Sequence, residues 1–261
     1  MELKDALKNR GIRLLQYGDS GVGKSIRASE AARWGKVQYH DFDEQTQNLA
    51  SYLTEVYPER VDKIEVITYA GLPDAKKWER FDKTLTVLEA GTHDIKTLVI
   101  DSYTRFENVY FNFLASVYNP ATGSFGTPRK TVKIGQGDEL ILPGTNDYFI
   151  LAAAVKKITG RLKDLQVNVI VNAHVRDYIE NRQQIVSQGT IQAAGQIRAF
   201  LPTEFTEFHR LFVDDYGKHR VQAKPSRYWL AKTSLTNIPQ NGILKDGSLE
   251  VFDERAIKCS K

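Results

Sequence analysis

Residues 12–25 read Ile-Arg-Leu-Leu-Gln-Tyr-Gly-Asp-Ser-Gly-Val-Gly-Lys-Ser, an apolar run that breaks into a glycine-rich turn. The spacing is GxxxxGK(S/T), with Gly18 and Gly23 at its glycine positions. In such a loop successive backbone N–H groups converge on a phosphate, and glycine accepts the unusual dihedrals required. Ile12 to Tyr17 read as a buried strand, and Ser25 to Trp34 as a helix stopped by Gly35. Strand, loop and helix thus follow in the order a phosphate cradle needs, and the helix N-terminus adds partial positive charge to the same anion site. The expected phosphate-binding set is Gly18, Asp19, Ser20, Gly21, Val22, Gly23, Lys24, Ser25 and Ile26.

The chain then alternates strands and helices. Lys36 to His40 predict a second strand that ends in Asp41-Phe42-Asp43-Glu44, placing acids at the sheet edge where open α/β folds bind ligands. A helix over Thr46 to Glu55 and a strand over Lys63 to Tyr69 follow. Trp78, Phe81, Leu85 and Leu88 give helical spacing to Asp74–Glu89. Thr97-Leu98-Val99-Ile100-Asp101-Ser102 is an uninterrupted buried strand ending in an aspartate. It reads as a Walker B element, in which Asp101 sits beside the magnesium of a bound nucleotide with Ser25. A helix N-cap also explains Asp101. Gln166 to Ala173 form a fifth strand that ends in His174, which either touches a terminal phosphate or is a satisfied structural histidine.

Other stretches carry less pattern. Residues 2–10 suggest a short amphipathic helix, Tyr103–Tyr118 an aromatic-rich helix and Asp147–Leu165 another helix. Between them, Asn119–Gly144 is a long Gly-, Pro-, Thr- and Asn-rich loop with Arg129, Lys130 and Lys133, either functional or a solvated excursion. Arg176–Pro202, with Arg176 and Arg182, predicts a loop and a helix ending before Pro202. Glu207–Val213 and Arg220–Lys232 predict an antiparallel strand pair, and Asp246-Gly247 a tight turn between Ile243–Lys245 and Leu249–Phe252. Residues 1–202 then form an α/β core with a mostly parallel sheet between helices, extended by antiparallel C-terminal strands over 203–261.

Composition narrows the classes. With 41% hydrophobic and 26% charged residues, the chain is ordinary for a soluble globular protein. No apolar run is long enough to cross a bilayer, and the charged start is unlike a signal peptide, so the expected place is the cytoplasm without membrane contact. A lone cysteine, Cys259, and five scattered histidines leave no zinc pattern. The net charge of +4 is modest, but no acid lies between Asp215 and Asp246, a window holding Lys218, Arg220, Lys224, Arg227, Lys232 and Lys245.

Four blocks in order, Tyr17–Ser25, the acidic end of the second strand, Leu98–Ser102 and Ile170–His174, resemble the RecA-like P-loop ATPases, most closely phage-encoded nucleotide-binding proteins of that group. Some of these serve as single-strand annealing or recombination ATPases. The resemblance spans residues 12–174 and implies an ATPase using ATP and Mg2+. It implies that Asp43, or its neighbour Glu44, polarises the attacking water and that His174 senses the gamma-phosphate. It maps a basic finger acting on a neighbouring subunit onto Lys232, without the arginine that usually follows. By the same likeness, the loops at 119–144 and 175–198 contact single-stranded DNA, through Arg129, Lys130, Lys133, Arg176 and Arg182. The implied partners are other copies of the chain and single-strand-binding or other replication and recombination proteins, in the host cytoplasm if the chain is phage-encoded. An AAA+ motor fits less well, because its sensor strand leads into a helical lid. A P-loop small-molecule kinase and an ATP-gated scaffold with little turnover are the alternatives.

Overall fold

The computed structural model describes residues 11–119, 124–125, 131–134, 138–141, 144–182, 184–245 and 247–257. The segment 2–10, Arg129, Lys130, Asp246 and Cys259 lie outside them. The strands are β1 (Arg13–Gly18), β2 (Lys36–Asp41), β3 (Ile64–Thr68), β4 (Ile95–Asp101), β5 (Tyr118–Asn119), β6 (Ser124–Phe125), β7 (Thr131–Ile134), β8 (Asp138–Ile141), β9 (Asn168–Arg176), β10 (Ile179–Asn181), β11 (Gln184–Ser187), β12 (Thr190–Ile191), β13 (Glu207–Val213) and β14 (His219–Gln222). The α-helices are α1 (Lys24–Ser29), α2 (Thr46–Val56), α3 (Pro58–Val61), α4 (Asp74–Ala90), α5 (Tyr103–Val117), α6 (Thr145–Asp164) and α7 (Gly195–Glu204).

The central sheet runs β14-β13-β1-β9-β4-β2-β3, with β12 pairing β9 from the side. From β13 to β3 every neighbouring pair is parallel, whereas β14 and β12 run antiparallel to their partners. The glycine-rich loop therefore follows a strand, β1, that does not touch β4 and its terminal Asp101, since β9 lies between them. The β13 strand pairs directly with β1, so residues after 202 complete the main sheet as well as adding the β13–β14 hairpin.

Side-chain alternation sorts the strands into two faces. Leu15, Tyr17, Leu98, Ile100, Val169, Val171 and Ala173 pack under α4, α5, α6 and α7. Ile12, Leu14, Val37, Tyr39, Val99 and Ile170 pack under α1 and α2. Asp101 shares the parity of Val99, and Asp41 that of Tyr39, so both acids belong to the α1 face. The sequence and that parity together decide which helix these carboxylates meet.

Several elements depart from expectation. The first helix is regular only to Ser29 and tightens into a 3-10 turn over Glu30–Trp34, where Ser29 Oγ donates to the Ile26 carbonyl at 2.6 Å. The 119–144 stretch is not patternless, because β5 pairs β6 and β7 pairs β8 as two small antiparallel ladders. The helix after 195 runs through Pro202 to Glu204; the proline has no N–H to give the carbonyl four residues before it, and its place in the last turn leaves little helix beyond to be kinked. After Gln222 the chain makes isolated bridges at Trp229, Lys232 and Ile243 in place of a strand to 232. Residues Leu249–Phe252 form a 3-10 turn capped by Ser248, whose Oγ accepts from the Glu250 amide at 3.1 Å. Leu249 and Phe252, three apart, are both buried, which a hairpin strand does not allow.

Candidate functional site

The carboxyl ends of β1, β9, β4 and β2 converge on a cavity of about 290 Å³. Ser20, Gly21, Gly23, Lys24, Ser25 and Ile26 form one wall. Gly21 and Gly23 have φ of 78° and 91°, the left-handed conformation that glycine takes without penalty. Gly18 is required for another reason: a Cβ there would lie 2.3 Å from the Leu211 carbonyl oxygen of β13. The Lys24 ammonium donates to the carbonyls of Gly18 at 2.8 Å and Asp19 at 2.6 Å, which holds it at the mouth of the loop. Burial lowers the Lys24 pKa, against the opposing charges of Asp101, Asp19 and Asp43.

Asp101 meets this wall from β4. Ser25 Oγ donates to Asp101 Oδ2 at 2.6 Å, and the Tyr39 hydroxyl donates to the same oxygen. Burial pushes the Asp101 carboxyl up, against the stabilising donors Ser25 and Tyr39. The peptide bond from Asp101 to Ser102 is cis. Among the described residues no group of three or more His, Cys, Asp or Glu side chains is placed to hold a metal ion. A hydroxyl and a carboxylate in contact are nonetheless hard oxygen donors of the kind that suit magnesium, which takes few protein ligands and completes its shell with water and phosphate.

Asp43 faces the loop across the cavity. His174 Nε2 lies 3.2 Å from Asp43 Oδ2, and Ser102 Oγ donates to Asp43 Oδ1 at 2.8 Å. Burial alone would raise the Asp43 pKa, but the bonds from His174 and Ser102 and the charge of Arg105 outweigh it and hold it below its ordinary value. Glu44 is turned away: its carboxylate meets Lys77 Nζ at 3.1 Å and it does not line the cavity. Of the two candidate acids, only Asp43 shares a space with Lys24, Ser25, Asp101 and His174.

Three features escape a reading of motifs. Asp41 lines the cavity and ties down the start of α2, accepting from the Thr46 amide at 2.8 Å and from the Thr46 hydroxyl. Tyr39 and Ser102 hold the two acids from neighbouring strand ends, and neither belongs to a motif that would have marked it for that role. Beneath the loop runs a buried polar chain. Gln16 Nε2 donates to the Lys24 carbonyl at 2.9 Å and to Asn172 Oδ1 at 2.7 Å, while its Oε1 accepts from Arg27 at 2.7 Å. Arg27 also reaches the Gly247 carbonyl at 2.5 Å and His209 Nδ1 at 3.3 Å. His209 Nε2 lies 3.2 Å from Glu207 Oε2, and Glu207 accepts from Thr233 and Arg255 at 2.6 and 3.1 Å.

The remaining predicted residues stand apart from the cavity. Lys232 bridges Phe208 through its backbone and sends Nζ to the Thr203 carbonyl at 3.3 Å, so it does not line the cavity of its own chain. Arg176 ends β9, and Arg182 occupies the turn of the β10–β11 hairpin with φ of 46°. Lys133 lies on β7. Sequence reasoning did not find the aromatic pair beside that hairpin. Tyr178 and Tyr228 are 37% and 36% exposed, their ring centroids are 5.0 Å apart, and the Arg227 guanidinium is 5.4 Å from the Tyr228 centroid.

The sequence profile of a family described as an AAA domain matches residues 10–235. A search of curated proteins gives no match. Among solved structures, the chain is similar to the ATPase EscN of the enteropathogenic E. coli type III secretion system, solved assembled with its central stalk EscO. The identity is 13% and the TM-score 0.46, over 78% of this chain and 42% of that one. It is also similar to a prototypical ATPase from the type III secretion system of pathogenic bacteria, at 13% identity and a TM-score of 0.46, over 77% of this chain and 52% of that one. The chain spans about half the length of these solved chains. The chain belongs to the AAA domain family and is a P-loop ATPase domain with an α/β core. This placement is broader than the RecA-like, phage-type group that its motifs resemble. The family label brings no helical lid with it: among the described residues, β9 leads into a hairpin, the ten-residue α7 and the β13–β14 strands. No helix among the described residues is long and apolar enough to cross a membrane.

Proposed function

We propose that this AAA-domain chain hydrolyses ATP in a magnesium-dependent reaction coupled to single-stranded DNA, as in recombination, annealing or replication. The observation that carries the hydrolytic part is the Asp43 carboxylate, held by His174 and Ser102 in one cavity with Lys24, Ser25 and Asp101. In this reading the loop amides and Lys24 bind the beta- and gamma-phosphates, and Ser25 and Asp101 hold the metal. Magnesium, when bound, neutralises charge on the phosphate oxygens. Asp43 orients the water and accepts its proton, and His174 keeps Asp43 turned towards the terminal phosphate.

The DNA part is supported by the Tyr178–Tyr228 pair and two neighbouring arginines, Arg176 at the end of β9 and Arg182 in the turn of the β10–β11 hairpin. Exposed rings stack bases at roughly 1–3 kcal/mol each, and arginines contact the phosphates between them. Arg129, Lys130 and Lys133 join this set as proposed backbone contacts, and Lys232 remains proposed for a neighbouring copy in a homo-oligomer. One observation favours a second reading: the cavity continues between α1 and α2 past Ile26, Asn48, Leu49 and Tyr52, room for a small phosphoryl acceptor.

Phosphate release, measured with and without a single-stranded oligonucleotide at low salt, tests both. Stimulation by DNA, abolished in Asp43→Asn and retained in Glu44→Gln, is the expected result. Equal loss in both variants, or release indifferent to DNA with no DNA retained, overturns the proposal. Transfer of labelled phosphate to an added small alcohol would favour the kinase.

A further inference from the structure

We propose that Tyr39 is a positioning residue for the metal-binding carboxylate, its hydroxyl fixing Asp101 Oδ2 so that the other carboxylate oxygen is presented to the cation or its water. The inference rests on the magnesium-dependent reading above. Tyr39 lies on β2, the strand that pairs with β4, and is 2% exposed with its edge on the cavity. Its ring packs in the layer under α1 and α2, where phenylalanine would fill the same volume. What tyrosine adds is one donor, and that donor is spent on Asp101.

A carboxylate oxygen offers about two lone-pair sites. On Asp101 Oδ2 these are addressed by Ser25 Oγ at 2.6 Å and by Tyr39. A serine hydroxyl can donate to Oδ2 and still turn a lone pair towards a cation, so Ser25 joins the two partners. It rotates freely about its short side chain, however, and leaves the plane of the carboxylate undetermined. The phenol comes from a rigid ring on the adjacent strand and supplies the second fixed point. Outer-shell partners of this kind orient the ligand and tune metal affinity.

The test is Tyr39→Phe, read by titrating magnesium into the protein with a fluorescent ATP analogue, alongside the analogue's affinity in EDTA. Affinity in EDTA should stay within about two-fold of the unaltered protein, while the magnesium needed for half-maximal effect rises by roughly ten-fold. Tyr39→His, which restores a ring N–H donor, should recover part of that rise, and it provides the reading if Tyr39→Phe does not fold. An unchanged magnesium requirement overturns the inference, as does an equal loss of affinity in EDTA and in magnesium, which marks a packing role. If the unaltered protein binds the analogue without regard to magnesium, the reading beneath the inference fails instead, and that outcome is distinct from both.

Discussion

The two faces of the sheet hold the site by different physics. Towards α4 and α5, the end of β2 is set in aromatic contacts: Phe42 stacks on Tyr69 at 4.2 Å, Phe81 meets Phe42 and Phe106 at 5.8 and 5.0 Å, and Trp78 meets Tyr110 at 4.2 Å. Towards α1, the loop rests on the directional chain Asn172, Gln16, Arg27, His209 and Glu207. Area contact fixes where Asp43 emerges but tolerates small rotations, because dispersion is shallow per atom pair. Hydrogen bonds fix orientation, and each one left unmade in a dry interior is costly. Asp43, the proposed water-positioning acid, thus emerges from packed rings before His174 and Ser102 bond its carboxylate, whereas the glycine-rich loop rests on a hydrogen-bonded frame throughout.

Substitutions that break one face should therefore separate stability from binding. The largest effect is expected from Phe81→Ala, which empties the middle of the aromatic face: about 3–5 kcal/mol less stable to urea. Nucleotide affinity of the remaining folded protein should change little. Arg27→Met keeps length and apolar stem but leaves Gln16 Oε1 and the Gly247 carbonyl without their donor. About 2–3 kcal/mol of stability should be lost. Unlike Phe81→Ala, it should also weaken nucleotide binding several-fold, because Gln16 carries the Lys24 carbonyl. Equal binding losses in the two variants would erase the distinction between the faces.

Acid provides the most graded comparison, with an effect small over any one step of pH, because each face buries one histidine. Burial lowers His40, stacked among the aromatic rings, to about 3, and His209, in the polar chain, to about 4. Unfolded histidines take up protons near pH 6.5, whereas these stay neutral while folded, so the unfolded state binds more protons below that pH. Stability should accordingly fall as pH drops from about 6.5 towards 4, by up to about 1.4 kcal/mol per pH unit for each histidine. Denaturant midpoints across that range would show it. His209→Gln should remove one proton's share of the slope, and an unaltered slope would mean that His209 is not kept neutral.

What the sequence disclosed was what local rules govern. The glycine-rich turn, the four apolar residues of α4 at helical spacing and the apolar run into Asp101 depend on neighbours within a few positions. The insertion of β9 between β1 and β4 does not, and neither does the meeting of Tyr39 with Asp101, because these join residues on separate strands. Which of Asp43 and Glu44 lines the cavity goes with a backbone detail the sequence does not show: Glu44 takes φ of 59°, and its carboxylate meets Lys77. Between 119 and 141, the short paired strands are too brief for a period-two signal, and their turn-rich surroundings read as loop. Leu249 and Phe252 spelled an apolar stretch without saying whether the step was two or three.

Gly18 carries a consequence for protein engineering. Its conformation is open to any residue; what excludes a larger one is the Leu211 carbonyl, from a strand almost two hundred positions later. The first glycine of the motif is thus a footprint of β13, and the cradle is not a self-contained cassette. Grafted onto a scaffold lacking that strand, the loop would keep its spelling and lose the wall against which it is moulded. A transplant would have to carry the outer strand with it.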